Sequence, residues 1–293
     1  MSCFEASFRK TFHGKKGEEF SLDLDFTLPE GKITVIFGPS GSGKSTILRL
    51  IAGLDAANGG VFKSAGETWF NAEKGINLAP QERQTGFLFQ DLALFPHLTV
   101  EGNMSYAIEK KSEKLRIKAL LEMTELTGLE HRYPHELSGG QQQRLALARS
   151  IAGEPKLLLL DEPFSALDRS VKKRIHEEFL KFHDRFGFTA LMVTHDISEA
   201  YRLAEHAIIL KEGKKVKEGT PEEVFLGKTL STRIQIPVKV IEMESDEIHT
   251  LLTVEEGRRT FRVFVDNDEA KKITIGDEVI VAAKASEALV FKV

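Results

Sequence analysis

The 293-residue sequence contains a single cysteine, Cys3, so neither an intrachain disulfide nor a cysteine-held metal cluster can form, which suits a reducing compartment. Long apolar runs are missing as well. Stretches such as 157–160 and 279–283 are far too short to span a bilayer. The opening residues, MSCFEASFRK, lack the apolar segment of a secretory leader, and the same lack argues against Cys3 as a lipidation site. Work at a membrane would therefore need a separate subunit to do the spanning. Nor is there an excess of positive charge. Lys+Arg total 40 against 44 Asp+Glu, a formal net charge of -4, which gives no support to wholesale nucleic-acid binding. No internal repeat and no low-complexity tract is present.

What remains is an ordinary globular composition, 41% hydrophobic and 29% charged, with material for one large domain or two smaller ones. Its organising stretch is Gly38-Pro39-Ser40-Gly41-Ser42-Gly43-Lys44-Ser45, followed by Thr46. The spacing fits G-x-x-x-x-G-K-[ST], and the context is right: an apolar strand-like run before it (33–37) and an apolar helical run after it (47–54). Glycines let successive N–H groups face inward as an anion nest, and the helix beginning near Gly43 adds its positive end. Lys44 supplies charge for the outer phosphates, and the Ser45 hydroxyl can ligate Mg²⁺. A nucleoside triphosphate is the expected ligand.

Residues 3–37 read as a β region. The stretch 21–28 alternates apolar and polar, and 29–32 forms a turn into the strand before the loop. Strand character returns at 60–71 and 85–90. From about 100 to 155 the character is helical. There Leu115, Ile117, Leu120, Leu121, Met123 and Leu126 recur near helical spacing, and a helix runs from 138 to 151 with Ser138 as its N-cap. The continuous apolar run 157–160 is a buried parallel strand ending in Asp161-Glu162. Helix 169–186, strand 189–193, helix 196–204 and strand 206–211 continue a βαβ alternation. A helix and linker follow over 221–237. The remainder is five short strands, at 238–243, 249–254, 260–265, 279–283 and 289–293, the pattern of a small barrel.

Asp161 at a strand end is placed to serve Mg²⁺, and Glu162 beside it could act as general base toward water. Ser138-Gly139-Gly140-Gln141 opens a helix and so offers a second anion site. The phosphate loop 38–45, Gln90, Leu137 to Gln141 with Arg144, Ala148 and Arg149, Asp161-Glu162, Ser165-Ala166-Leu167-Asp168 and His195 occur in one order. Together they resemble the motif set of ABC-type ATPases, over about residues 1–230.

The resemblance implies an α/β fold, a P-loop NTPase ABC ATPase core with a helical subdomain at about 90–155, binding ATP and Mg²⁺ and hydrolysing ATP. It implies a head-to-tail homodimer in which Ser138, Gly139, Gly140 and Gln141 reach the γ-phosphate bound by the other chain. Under it Gln90 senses Mg²⁺ and the attacking water, Glu162 is the base, His195 holds the γ-phosphate and Asp168 communicates across the dimer. Phe12, after the first strand, is the candidate adenine-stacking aromatic. The region 90–100 resembles the part of importer ATPases that grips integral-membrane permease subunits, with Leu92, Leu94 and Phe95 expected as an exposed docking patch. The subunit would then lie in the cytoplasm, peripheral on the inner face of the membrane, and serve a solute-binding protein indirectly.

The stretch 71–80 looks like molybdate-import ATPases. The tail, 231–293, resembles the small all-β, OB-like barrel appended to molybdate and tungstate importers. Sulfate, iron and sugar importers carry C-terminal barrels too, so sulfate or another small solute is the alternative expectation. The acidic run 266–269 stands where that barrel usually offers hydroxyls to an anion, and three carboxylates there would repel one. A dimerising or regulatory tail is therefore expected, with Lys284 and Ser286 the residues to examine for oxyanion binding.

Overall fold

The computed structural model describes residues 3–13, 19–108, 113–165, 169–225, 234–245, 249–257 and 259–283. The chain opens with a long antiparallel hairpin, β1 (Cys3–His13) and β2 (Glu19–Pro29), then β3 (Ile33–Phe37) and α1 (Lys44–Ala52). Three short strands follow, β4 (Gly59–Ser64), β5 (Glu67–Asn71) and β6 (Ile76–Asn77), and then β7 (Thr85–Leu88). Helices α2 (Val100–Ser105), α3 (Glu113–Met123) and α4 (Gly139–Ala152) precede β8 (Leu157–Asp161), α5 (Arg169–Phe186), β9 (Thr189–Thr194) and α6 (Ile197–Leu203). The first unit ends with β10 (His206–Lys211), β11 (Lys214–Gly219) and α7 (Pro221–Phe225).

These strands form an 11-stranded sheet in the order β6-β5-β4-β1-β2-β11-β10-β3-β9-β8-β7. Strands β10, β3, β9, β8 and β7 pair in parallel. Side chains alternate across a strand, so each central strand feeds two cores. Leu158 and Leu160 of β8, with Ala190 and Met192 of β9, pack toward α3, α4 and α5. Leu157 and Leu159, with Leu191 and Val193, pack toward α1 and the β1–β2 hairpin. Burial on both faces is why 157–160 reads as an unbroken leucine run.

Local differences from the sequence expectation have physical causes. On α3 the buried stripe is Ile117, Leu120 and Leu121, whereas Leu115 is 84% exposed because it projects from the opposite side of the helix. Strand β11 has little apolar signal, since its residues are mostly exposed at the surface of the sheet. Leu92 and Leu94 are half-buried against the main core rather than an exposed patch. Phe95 packs on Tyr106 at 4.5 Å between ring centroids and lies 4.9 Å beneath the Arg149 guanidinium.

The C-terminal unit comprises β12 (Ile234–Ser245), β13 (His249–Glu256), β14 (Arg259–Asp266), the short helix α8 (Asn267–Ala270) and β15 (Glu278–Ala283). Its described part is a four-stranded antiparallel sheet, order β14-β13-β12-β15, around Val238, Val240, Leu252 and Val254. Among the described residues the sheet does not close into the expected barrel, and the fifth anticipated strand, 289–293, lies outside them.

One buried charge ties the first helix to the peripheral strands. Arg83 is fully buried, and its guanidinium donates to the Leu50 and Ile51 carbonyls at 2.9 and 2.7 Å and to the Asn77 side chain at 2.6 Å. It also donates through Nε to the Leu78 carbonyl at 2.9 Å. It thereby satisfies the Ile51 carbonyl at the C-terminal end of α1 and shares the Leu50 carbonyl with the Gly53 N–H. Arg83→Ala should lower unfolding free energy by about 3 kcal/mol, because buried carbonyls lose their donors. Urea denaturation measures this, and a loss below about 1 kcal/mol would show that water replaces the guanidinium.

Candidate functional site

The parallel strands deliver their C-terminal ends to one edge of the sheet. β3 runs into the phosphate loop, β8 ends at Asp161-Glu162, and β9 ends at Thr194, one residue before His195. Phe37 pairs with Thr194 and Asp161 with Val193, so the three chain ends are level. A cleft of about 550 Å³ opens there, lined by Ser40, Gly41, Gly43, Lys44, Ser45, Thr46, Gln90, Glu162 and His195 together with Phe12 and Phe20. Crevices at the carboxyl edge of parallel sheets are where such folds bind ligands.

The loop geometry explains its residues. Gly43 caps α1 with φ +98°, and a Cβ there would sit 2.8 Å from Leu22 Cδ1. Gly38 has no room either, since a Cβ would meet the Leu210 carbonyl oxygen at 2.2 Å. No acidic side chain occupies the first turn of α1 and no side chain caps it, so its leading N–H groups are left for an anion. Lys44 donates to the Gly38 and Pro39 carbonyls at 2.7 and 2.9 Å, arching over the loop. Burial lowers its ammonium pKa, against the opposing pull of Glu162 and Asp161.

Ser45 Oγ donates to Asp161 Oδ1 at 2.9 Å. Burial raises the Asp161 carboxyl above the usual range, and the charge of Glu162 works in the same direction while Ser45 opposes it. A hard cation would relieve that burden. A hydroxyl and a carboxylate, with the Gln90 amide on the same cleft, form an oxygen set suited to Mg²⁺ shared with phosphate oxygens. No cluster of three or more His, Cys, Asp or Glu able to hold a metal by itself occurs among the described residues.

Glu162 Oε1 lies 3.4 Å from His195 Nδ1. The Glu162 backbone is held at φ +46°, a strained value for a residue with a Cβ, by its N–H to the Val193 carbonyl and by its own carbonyl, which accepts from Ser165 N. The His195 ring is 61% exposed and reaches over the cleft.

Phe20 was not anticipated. It stands opposite Phe12 in the hairpin register, with ring centroids 5.9 Å apart, so the cleft has an aromatic pair where one aromatic was expected. Pairing 3–13 with 19–29 as a hairpin was the sequence signal that would have found it. Ser138, Gly139, Gly140 and Gln141 do not line the cleft of their own chain. They open α4 as a capping box, Gln141 N donating to Ser138 Oγ and Ser138 N to Gln141 Oε1. Arg149, near the other end of α4, donates to the Leu92 and Ala93 carbonyls, fastening the segment after Gln90 to α4. Asp168, Lys284 and Ser286 lie outside the described residues.

Loop, acidic strand end and sheet edge together define a phosphate-loop nucleotide-binding protein. Comparison with known proteins narrows the class. A profile of the family described as ABC transporter matches residues 22–165. The dimeric structure of MJ0796, a bacterial ABC transporter cassette, is 31% identical with a TM-score of 0.62, covering 75% of this chain and 98% of that one. The chain belongs to the ABC transporter family. A structure of cbiO1 from Clostridium perfringens, part of the ABC transporter complex cbiONQ, matches with TM-score 0.65 at 26% identity, covering 77% of this chain and 91% of that one.

Among curated sequences, the sulfate/thiosulfate import ATP-binding protein CysA 1 of Agrobacterium fabrum is 44% identical over 212 residues, 69% of this chain and 60% of its own length. CysA of Halalkalibacterium halodurans is 42% identical over 212 residues, covering 69% of this chain and 58% of its own length. The chain thus spans about 60% of the length of the curated relatives it matches. These relatives carry sulfate names, which supports the alternative solute expectation over molybdate and tungstate.

Phe12→Ala and Phe20→Ala should each weaken ATP binding by about three- to tenfold, the worth of one aromatic contact, without changing affinity for inorganic triphosphate. Calorimetric titration separates the two ligands. Unchanged ATP affinity in both variants would remove the aromatic pair from the site.

Proposed function

We propose that this chain is the ATP-hydrolysing subunit of an importer for small oxyanions, sulfate or thiosulfate being the favoured solutes. The observation that carries the catalytic part is Glu162 beside His195 at the mouth of the phosphate-loop cleft. The N-terminus of α1 and Lys44 bind the phosphates, and the rings of Phe12 and Phe20 take the base. Glu162 accepts a proton from a water whose oxygen attacks the terminal phosphorus as the bond to the bridging oxygen breaks and ADP leaves, while His195 holds that phosphoryl group and orients the water. When bound through Ser45 and Asp161, Mg²⁺ would supply charge neutralisation to the phosphate oxygens.

Ser138–Gln141 lie off their own chain's cleft, and this reading gives them to a second copy. The capping box presents the start of α4 to the terminal phosphate across a head-to-tail dimer. Closing the dimer then completes the site. The segment 90–100, tied to α4 through Arg149, passes the motion to a membrane permease, placing the subunit in the cytoplasm against the inner membrane face. Residues 1–230 form the ATPase unit in this scheme, and 231–293 a regulatory or dimerising unit. Support for the solute comes from the names of the relatives.

Glu162→Gln should bind ATP as the parent does and lose about 10²- to 10⁴-fold in turnover, the usual worth of a general base. Phosphate release and nucleotide titration on the same preparation check both halves, and undiminished turnover would sink the assignment. For the solute, cells lacking this chain should lose uptake of radiolabelled sulfate and keep uptake of molybdate. The reverse pattern would return the solute to the molybdate class.

A further inference from the structure

The ring of His195 is largely exposed, with Glu162 Oε1 3.4 Å from its Nδ1, so its placement is set by the main chain that carries it rather than by packing. That main chain is a short turn between β9 and α6. On one flank Thr194 closes β9, paired in register with Phe37 and buried. On the other, Asp196 caps α6, its Oδ1 accepting from Glu199 N at 3.2 Å. One hydroxyl joins the two flanks. Thr194 Oγ1 accepts from Asp196 N at 3.0 Å, spanning His195, and donates to Glu199 Oε2 at 2.6 Å.

A helix cap does not require the second of these bonds. Glu199 is buried, and its Oε1 accepts from Lys172 Nζ at 3.0 Å, while Lys172 also donates to Asp196 Oδ2 at 3.1 Å. A buried carboxylate is costly unless it is paired, and an apolar side chain would fill the same space without that cost. What the carboxylate supplies is direction. It draws the hydroxyl proton to one side of Thr194, which leaves a lone pair of Oγ1 for the Asp196 N–H. The bond across His195 is therefore held from behind by an ion pair that reaches α5.

The same stretch also carries the partner of the histidine. The Val193 carbonyl, one residue before Thr194, accepts from Glu162 N at 3.1 Å. Residues 193–196 thus hold Glu162 and His195 on one hydrogen-bonded frame. Thr194 does not itself line the cleft, so any effect it has on hydrolysis passes through its neighbour.

We propose that Thr194 is a positioning residue for His195: its hydroxyl, oriented by Glu199, braces the turn that aims the imidazole at the terminal phosphate. The part concerning turnover rests on the proposed role of His195. The brace itself is measured without nucleotide.

Two substitutions in the full-length protein separate the hydroxyl from the shape of the side chain. Thr194→Val keeps the branching and removes the hydroxyl, and Thr194→Ser keeps the hydroxyl. Thr194→Val should lower kcat about five- to tenfold with KM for ATP unchanged, and Thr194→Ser should stay within about twofold of the parent. Both are then compared with His195→Ala and with the double variant, by single-turnover hydrolysis with protein in excess. In the His195→Ala background Thr194→Val should cost nothing further, because the brace has no ring left to aim. A residue needed for folding alone would give the same factor in both backgrounds. That result overturns the proposal, as does loss of turnover in Thr194→Ser. Parent-like turnover in His195→Ala would instead overturn the role given to His195. Hydrogen exchange over 194–199 reads the brace apart from hydrolysis. Uptake should rise in Thr194→Val and stay at the parent level in Thr194→Ser, and equal uptake in the parent and Thr194→Val overturns the brace by itself. If Thr194→Val does not fold, Thr194→Ser decides: parent-like exchange and turnover are required of it.

Discussion

The parallel register of β3, β9 and β8 is the constraint on which the site depends. Each pairing is unbroken, and each strand ends at the same height, so the phosphate loop, Asp161-Glu162 and His195 converge although more than a hundred residues separate the loop from the other two. A slip of one residue in β8 would exchange leucine for leucine in both cores but draw Lys156 or Asp161 into the buried span and move both carboxylates from the cleft. The charged flanks of the leucine run therefore protect the chemistry, because neither can enter the core that the leucines fill.

Residues whose role is local were the legible ones. The phosphate loop, the acidic strand end and His195 sit at junctions of strand and loop, and short-range spacing reports those junctions directly. The Ser138 N-cap was legible for the same reason. What was hidden depends on partners distant in sequence. Phe20 joins the cleft only through its hairpin partner Phe12, and Arg83 works through carbonyls of α1. The expectation of exposed Leu92 and Leu94 failed because apolar loop residues look alike whether they await a partner or pack on their own core. The barrel expectation counted its strands correctly within the described residues, and its last one, at 289–293, lies outside them.

Electrostatics divides the molecule into two zones. At the cleft, Asp161 and Glu162 crowd together, with Lys44 and, more weakly, Arg49 as the opposing charges, an arrangement uncomfortable by itself and suited to a cation and polyphosphate. Behind it, Lys172, Asp196, Glu199 and Thr194 satisfy one another in a closed network. The first zone is poised and the second is rigid. Preorganised sites combine the two in this way, because an unsatisfied group positions poorly unless its supports do not move.

The positive φ of Glu162 has an evolutionary and practical consequence. Glycine or asparagine would sit in that conformation with less strain, so the position is one where a stabler chain and a working one call for different residues. A library of this protein screened only for heat resistance should drift at residue 162 toward residues that lack a carboxylate. With Glu162 as the proposed base, selection for melting temperature would then erode the proposed reaction without disturbing the fold.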